Sequence, residues 1–154
     1  MNTVSIEIQQ EGPDSGVNEK AVLQNIKIFC SRVLEKLAID KWEVSLLLCG
    51  KAYMHELNKK YRNIDDSTDV LSFSQEGGFD DHPVFYAGDI VVSLEDCREQ
   101  AERNGVGMEQ ELKRLIVHGL LHLMGFDHTS DKEEREMLEK QDEIVKNLEE
   151  VRIF

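Results

Sequence analysis

Three of the chain's five histidines, His118, His122 and His128, fall within eleven residues, at spacings that suit one metal ion. The run from Met108 to Val117 joins strong helix formers to apolar Leu112, Leu115, Ile116 and Val117, so it predicts a helix that continues through His118 and His122. Four residues advance a helix by one turn plus roughly 40°, which sets both imidazoles on one face, about 6 Å apart along the axis. Gly125 supplies a residue that takes positive φ at a helix C-terminus, so the chain can turn back and present His128 from outside the helix. No further Cys or His stands near the motif, and three neutral imidazoles alone describe an open site. A lone histidine is ordinarily a hydrogen-bonded core or surface residue, and His55 and His82 are read that way. The set of three, with a glycine at the turn, is read as a metal site because spacing and helix context agree.

The same spacing is similar to the metzincin zinc pattern, H-E-x-x-H-x-x-G-x-x-H, at every ligand position and at the glycine. Where those proteases carry a glutamate that acts as general base, this chain has Gly119. The ligand frame is present and the protease base is absent, so Gly119→Glu is expected to add a base while leaving metal binding intact. Zinc suits three histidines, and nickel, cobalt or copper tolerate the same nitrogens. Asp127 can orient an imidazole as a carboxylate acceptor or serve as an ordinary turn aspartate, and both readings stand.

The elements that must position these residues belong to a chain of 154 residues, which predicts one domain, residues 1–154, large enough for a core without disulfides. Cys30, Cys49 and Cys97 are odd in number and embedded in apolar stretches, the pattern of reduced, buried thiols in a cytosolic protein. The N-terminus lacks the basic start and apolar run of a signal peptide, and no stretch approaches the roughly 20 apolar residues of a membrane span. A cytoplasmic protein without membrane partners is the expectation. The net charge of -13 argues against whole-surface attraction to nucleic acid, so any RNA contact must be local. One basic patch stands out: Lys51, Lys59, Lys60 and Arg62 against Glu56 alone.

Val4, Ile6 and Ile8 alternate along a strand from Thr3 to Gln9. A helix is expected from an Asn18 cap to about Ile39, on Val22, Ile26, Phe29, Val33 and Leu37. Trp42 to Cys49 reads as an interior strand, making a parallel βαβ unit with the first. Tyr53, Leu57 and Tyr61 predict a short helix from Lys51, with Lys59, Lys60 and Arg62 suiting its C-terminal dipole. Val70–Phe73 and Asp89–Leu94 are expected to pair antiparallel across a loop holding Gly77-Gly78 and Asp80-Asp81. Ser93 with Asp96, and Ser130 with Glu133, mark the starts of two helices. The last of these should turn Met137, Leu138, Gln141, Ile144, Val145 and Leu148 inward. No repeat, low-complexity tract or linker interrupts the chain.

The run His118-Gly119-x-Leu121-His122-Leu123-x-Gly125-x-Asp127-His128 resembles the H-G-x-L-H-L-x-G-x-D-H signature of the YbeY endoribonucleases, bacterial rRNA maturation factors. Leu57-Asn58-Lys59-Lys60-Tyr61-Arg62, Thr68-Asp69-Val70-Leu71-Ser72-Phe73 and Gly88-Asp89-Ile90 resemble three further segments of that family. The likeness runs from about Trp42 to Glu143 and departs at Ser74, where proline is expected in many relatives. It implies an α+β fold, a small mixed β-sheet covered by helices with metzincin-like topology. It also implies one zinc on the three histidines and single-strand-specific cleavage of RNA, not DNA. The implied work is 16S rRNA 3' end processing and ribosome quality control on the small ribosomal subunit. The family's functional arginine falls on Arg62, which the resemblance makes the candidate catalytic residue, facing a scissile phosphate.

A zinc on three neutral ligands keeps two positive charges and can lower the pKa of bound water toward about 7. An arginine fork beside it would stabilise charge developing on phosphorus oxygens. Peptide hydrolysis would still need a base and a proton donor, so Gly119 favours phosphoryl chemistry. Two other classes remain open at this point: a metalloprotease-like hydrolase with another base, and a ribosome-binding factor whose zinc is structural.

Overall fold

The computed structural model describes residues 2–9, 19–75, 85–126 and 130–154. Among the described residues four strands, β1 (Thr3–Ile8), β2 (Trp42–Cys49), β3 (Val70–Ser74) and β4 (Phe85–Ser93), form one mixed sheet in the order β1-β2-β4-β3. β1, β2 and β4 run parallel, and β3 pairs antiparallel with β4 at the edge. Five helices among the described residues accompany it: α1 (Glu19–Lys36), α2 (Lys51–Arg62), α3 (Leu94–Asn104), α4 (Met108–Leu123) and α5 (Asp131–Asn147). The arrangement is α+β, and it contains the expected βαβ unit and the expected antiparallel pair.

β2 and β4 turn apolar side chains toward the helices of the main core, whereas β1 keeps Thr3, Ser5 and Glu7 exposed on the opposite face. Val44, Leu46 and Leu48 of β2 and Ile90 and Val92 of β4 join α1, α4 and α5 in the main core. Cys49, Leu71 and Val91 join Met54 of α2 in a smaller cluster. Val117, Leu120 and Leu121 of α4 are fully buried, which explains how this helix holds its two histidines at a fixed height over the sheet. All three cysteines are free and buried. Burial pushes the Cys30 and Cys97 thiols up to about 12 and the Cys49 thiol up to about 11, so they remain protonated at neutral pH.

Several boundaries differ from the sequence reading. α1 ends at Lys36, short of Ile39, because Ala38 turns into the left-handed region (φ 56°) and Ile39 closes back on the Leu34 carbonyl. β4 begins at Phe85, earlier than Asp89. Its pairing with β2 shifts register between Glu43 and Val44, where Tyr86 and then Gly88 are the partners, and this irregularity hides the strand from a search for strict alternation. Gly88 at φ +142° lies against the Phe73 carbonyl, in space a side chain would occupy. Of the expected α2 stripe, Tyr53 and Leu57 pack against the smaller cluster beside the buried Met54, while Tyr61 is 57% exposed. Leu138 is also exposed, not inward. The glycine and aspartate pairs of the β3–β4 connection lie outside the described residues. Among the described residues no helix is long and apolar enough to cross a membrane.

Candidate metal centre

α4 starts at Met108, as its sequence predicts, and ends in a tight turn. The N–H of Gly125 donates to the His122 carbonyl (3.0 Å) and that of Phe126 to Leu121 (3.1 Å), with Gly125 at φ +104°. The expected glycine turn is therefore present. It also sets a backbone acceptor under the second histidine: Nδ1 of His122 lies 2.9 Å from the Phe126 carbonyl oxygen. A carbonyl can only accept, so Nδ1 carries the proton and Nε2 of His122 is left as a lone pair.

His118 is oriented from farther away. Its Nδ1 lies 2.8 Å from Oε1 of Gln141 on α5, and Gln141 is only 1% exposed. That buried amide oxygen accepts the Nδ1–H of His118 and turns the ring's Nε2 lone pair outward. The two Nε2 atoms then face each other at 3.0 Å, two acceptors directed at one point. That separation is within the span of two nitrogens bound to one ion at the usual zinc–nitrogen distance of about 2.0–2.1 Å. The donor set fits a divalent cation, with the tautomers set by groups behind the rings. Among the described residues no group of three His, Cys, Asp or Glu side chains is placed to hold an ion, and His128 and Asp127 lie outside the described residues. So does His82, while His55 pairs with Asp65 at 2.7 Å at the surface.

The pair opens into a cleft of about 530 Å³ lined by Arg62, Asp69, Ser72, Ser74, His118 and His122 among others. Arg62 is the last residue of α2, and Asn63 in the left-handed conformation (φ 57°) stops the helix there. The chain thereby delivers an exposed guanidinium to the same cleft as the imidazoles. Behind them, burial pushes the Asp69 carboxyl above the ordinary carboxylate range, against the pull of Arg114. Arg114 is itself held by the buried Glu111 in a two-pronged pair (2.6 and 3.2 Å).

Gly119 has a different reason to be glycine from the one its sequence position suggests. A Cβ there would stand 2.8 Å from Cγ2, 3.1 Å from Cδ1 and 3.2 Å from Cγ1 of Ile90. The Ser72 hydroxyl also donates to the Gly119 carbonyl (3.4 Å). The residue lets α4 lie close on β4 and β3. Gly119→Glu therefore does more than add a base: its Cβ, 2.8 Å from Cγ2 of Ile90, requires Ile90 or α4 to shift. Gln141 was legible only as an inward position, yet a polar residue in the stripe Met137, Gln141, Ile144, Leu148 is itself a signal of a buried partner. Nothing in the sequence placed Ser72 and Ser74 in the cleft.

This chain is similar to known proteins over nearly its whole length. The family model described as endoribonuclease YbeY matches residues 6–149. The endoribonuclease YbeY of Treponema denticola is 43% identical over 156 residues, covering 99% of this chain and 97% of that protein. That of Persephonella marina is 38% identical over 146 residues, covering 92% and 90%. A solution structure of a Thermotoga maritima protein matches with a TM-score of 0.64 at 30% identity, covering 95% of this chain and 89% of that one.

Proposed function

The chain belongs to the YbeY endoribonuclease family, and from that premise we propose that it is a metal-dependent endoribonuclease specific for single-stranded RNA. The observation that carries the reading is the convergence of the His118 and His122 lone pairs in the cleft that Arg62 also lines. We assign one ion, zinc or a similar divalent transition metal, to His118, His122 and His128, the set whose spacing is similar to the metzincin pattern. The whole chain acts as one domain. Its substrate is ribosomal RNA, at the 3' end of 16S rRNA, with the small subunit as partner and the cytoplasm as its place.

When bound, the ion supplies Lewis-acid charge for a phosphoryl oxygen and for an attacking water. The chain's own residues do the rest. Gln141 and the Phe126 carbonyl hold both imidazoles in the ligating tautomer, so no reorganisation is needed when the site fills. Arg62 offers a planar fork of donors to the nonbridging oxygens of a scissile phosphate, where charge develops in the transition state. An exposed, flexible guanidinium suits a substrate that arrives as a strand from solvent. With Gly119 in the position of the protease glutamate, the motif brings no carboxylate base beside its first ligand.

The test uses purified, metal-loaded protein with a single-stranded RNA, the same RNA annealed to its complement, and an unstructured protein such as casein. Cleavage of the single strand, abolished by chelation and restored by added zinc, is expected. Zinc-dependent proteolysis without RNA cleavage would sink the phosphoryl reading, and full metal content with neither activity would favour a structural ion.

A further inference from the structure

We propose that the exposed ring of Tyr61 is a stacking platform for an unpaired nucleobase of the RNA substrate, beside the phosphate held by Arg62. The inference rests on the endoribonuclease reading and adds to it a residue that makes the site select single strands. Tyr61 is 57% exposed, although the residues that anchor α2, Met54 and Asn58, are almost wholly buried. Its ring is nonetheless fixed in place. It meets Phe73 of β3 in an edge-type contact, with centroids 5.2 Å apart and planes at 66°, a favourable aromatic geometry. Lys60 places its Nζ over the ring, 5.2 Å from the centroid, a cation that a stacking base would displace.

Position gives the ring its meaning. Tyr61 and Arg62 are consecutive at the end of a helix, so their side chains leave it about 100° apart. Arg62 lines the histidine cleft together with Ser72 and Ser74. Tyr61 lines the groove on the other side of β3 with Phe73. The edge strand thus runs between a phosphate-binding group and an aromatic surface. A single strand crossing that edge can keep a phosphate at Arg62 and lay an adjacent base on Tyr61. The groove beyond the ring also holds Glu7 and Asp89, which repel phosphate and keep the backbone on the Arg62 side. A base in a duplex has both faces covered, so only an unpaired one can stack.

The plainer account is that Tyr61 only fastens the end of α2 to Phe73. The two accounts separate when protein and RNA are altered together. Kinetics and fluorescence-anisotropy binding are measured with the metal-loaded full chain on a short single-stranded RNA, and on versions carrying one abasic nucleotide at each position near the cleavage point. Wild type, Tyr61→Ala, Tyr61→Trp and Tyr61→Leu are compared, each checked for folding and metal content. We expect Tyr61→Ala to bind roughly 10- to 100-fold more weakly, the loss of one base–aromatic stack, chiefly through KM. Tyr61→Trp should retain binding, and Tyr61→Leu, which keeps apolar bulk against Phe73, should resemble alanine. One abasic position should weaken wild type by a similar factor and Tyr61→Ala hardly further. Wild-type binding by folded Tyr61→Ala, or equal loss at every abasic position in both proteins, would overturn the platform. Binding without cleavage by wild type would overturn the endoribonuclease reading alone, and no binding by wild type would overturn both.

Discussion

Adding one methyl group at Gly119 measures how closely α4 must lie on the sheet to keep the histidines in place. In an unhindered helix, Gly→Ala stabilises by about 1 kcal/mol. Here the new Cβ meets three atoms of Ile90 at 2.8 to 3.2 Å, and overpacking of this kind costs typically 1–3 kcal/mol. The clash outweighs the propensity gain, so Gly119→Ala should destabilise by about 1 kcal/mol net, or about 3 °C in Tm for a chain of this size. The sharper expectation is a change of sign. Ile90→Ala alone should cost about 2–5 kcal/mol, but in that background Gly119→Ala fills vacated space and should stabilise. Ile90→Val keeps the counterparts of Cγ1 and Cγ2, the latter being the nearest atom, and should not reverse the sign. Urea unfolding of the four proteins of the cycle, with zinc content measured on each, reads both quantities. If Gly119→Ala raised stability by about 1 kcal/mol in the wild-type background, as an ordinary helical glycine would, the close-approach argument would be wrong. Gly119→Glu should then also be reconsidered as a route to a protease-like base.

Arg62→Ala should remain folded and metal-loaded but lose on the order of 100-fold or more in RNA cleavage, with Arg62→Lys only partly restored, since an ammonium does not reproduce the fork; full activity in a folded alanine variant would remove the arginine from the mechanism. Gln141→Leu should weaken zinc affinity roughly 10- to 100-fold by freeing the His118 ring, read by competition with a chelator; unchanged affinity would show that the buried amide does not set the tautomer. Glu109 holds the Ile153 and Phe154 amides. Its carboxyl loses solvation there, yet those N–H donors, with Lys113 and Arg152, hold it below the ordinary range. That stabilisation is present above its unfolded pKa of about 4.3 and is lost as pH falls through the lower folded value. Glu109→Gln should therefore cost about 1 kcal/mol at pH 7, allowing for partial exposure, and almost nothing once acid has protonated the wild-type group. An equal difference at both pH values in urea unfolding would count against this linkage.

The parts of the site that were legible in sequence are those encoded within one helix or one turn. The spacing of His118 and His122 fixes their shared face, Gly125 takes the positive φ foreseen for it, and α2 spans Lys51–Arg62 as its pattern implied. What was not legible depends on packing between elements distant in the chain. Tyr61 follows Tyr53 and Leu57 at helical spacing, but those two pack with Met54 on the sheet, while Tyr61 stays 57% exposed and meets Phe73 of the edge strand. Gly119 could be read only by comparison with a protease pattern, because its neighbour Ile90 is 29 positions earlier and on another element.

Two histidines four apart on a helix are common, and spacing alone does not make them ligands. An imidazole coordinates only through a deprotonated nitrogen, so the decisive question is which ring nitrogen carries the proton. For His122 the answer comes from the same turn, through the Phe126 carbonyl. For His118 it comes from Gln141, on a helix that reaches the site by packing against α4. Rotating α5 by one residue would leave the histidine spacing untouched and remove that acceptor, freeing the His118 proton to move to the nitrogen assigned to the proposed ion. The proposed metal site is thus written in the spacing of α4, but the tautomer of its first histidine depends on the docking of α5.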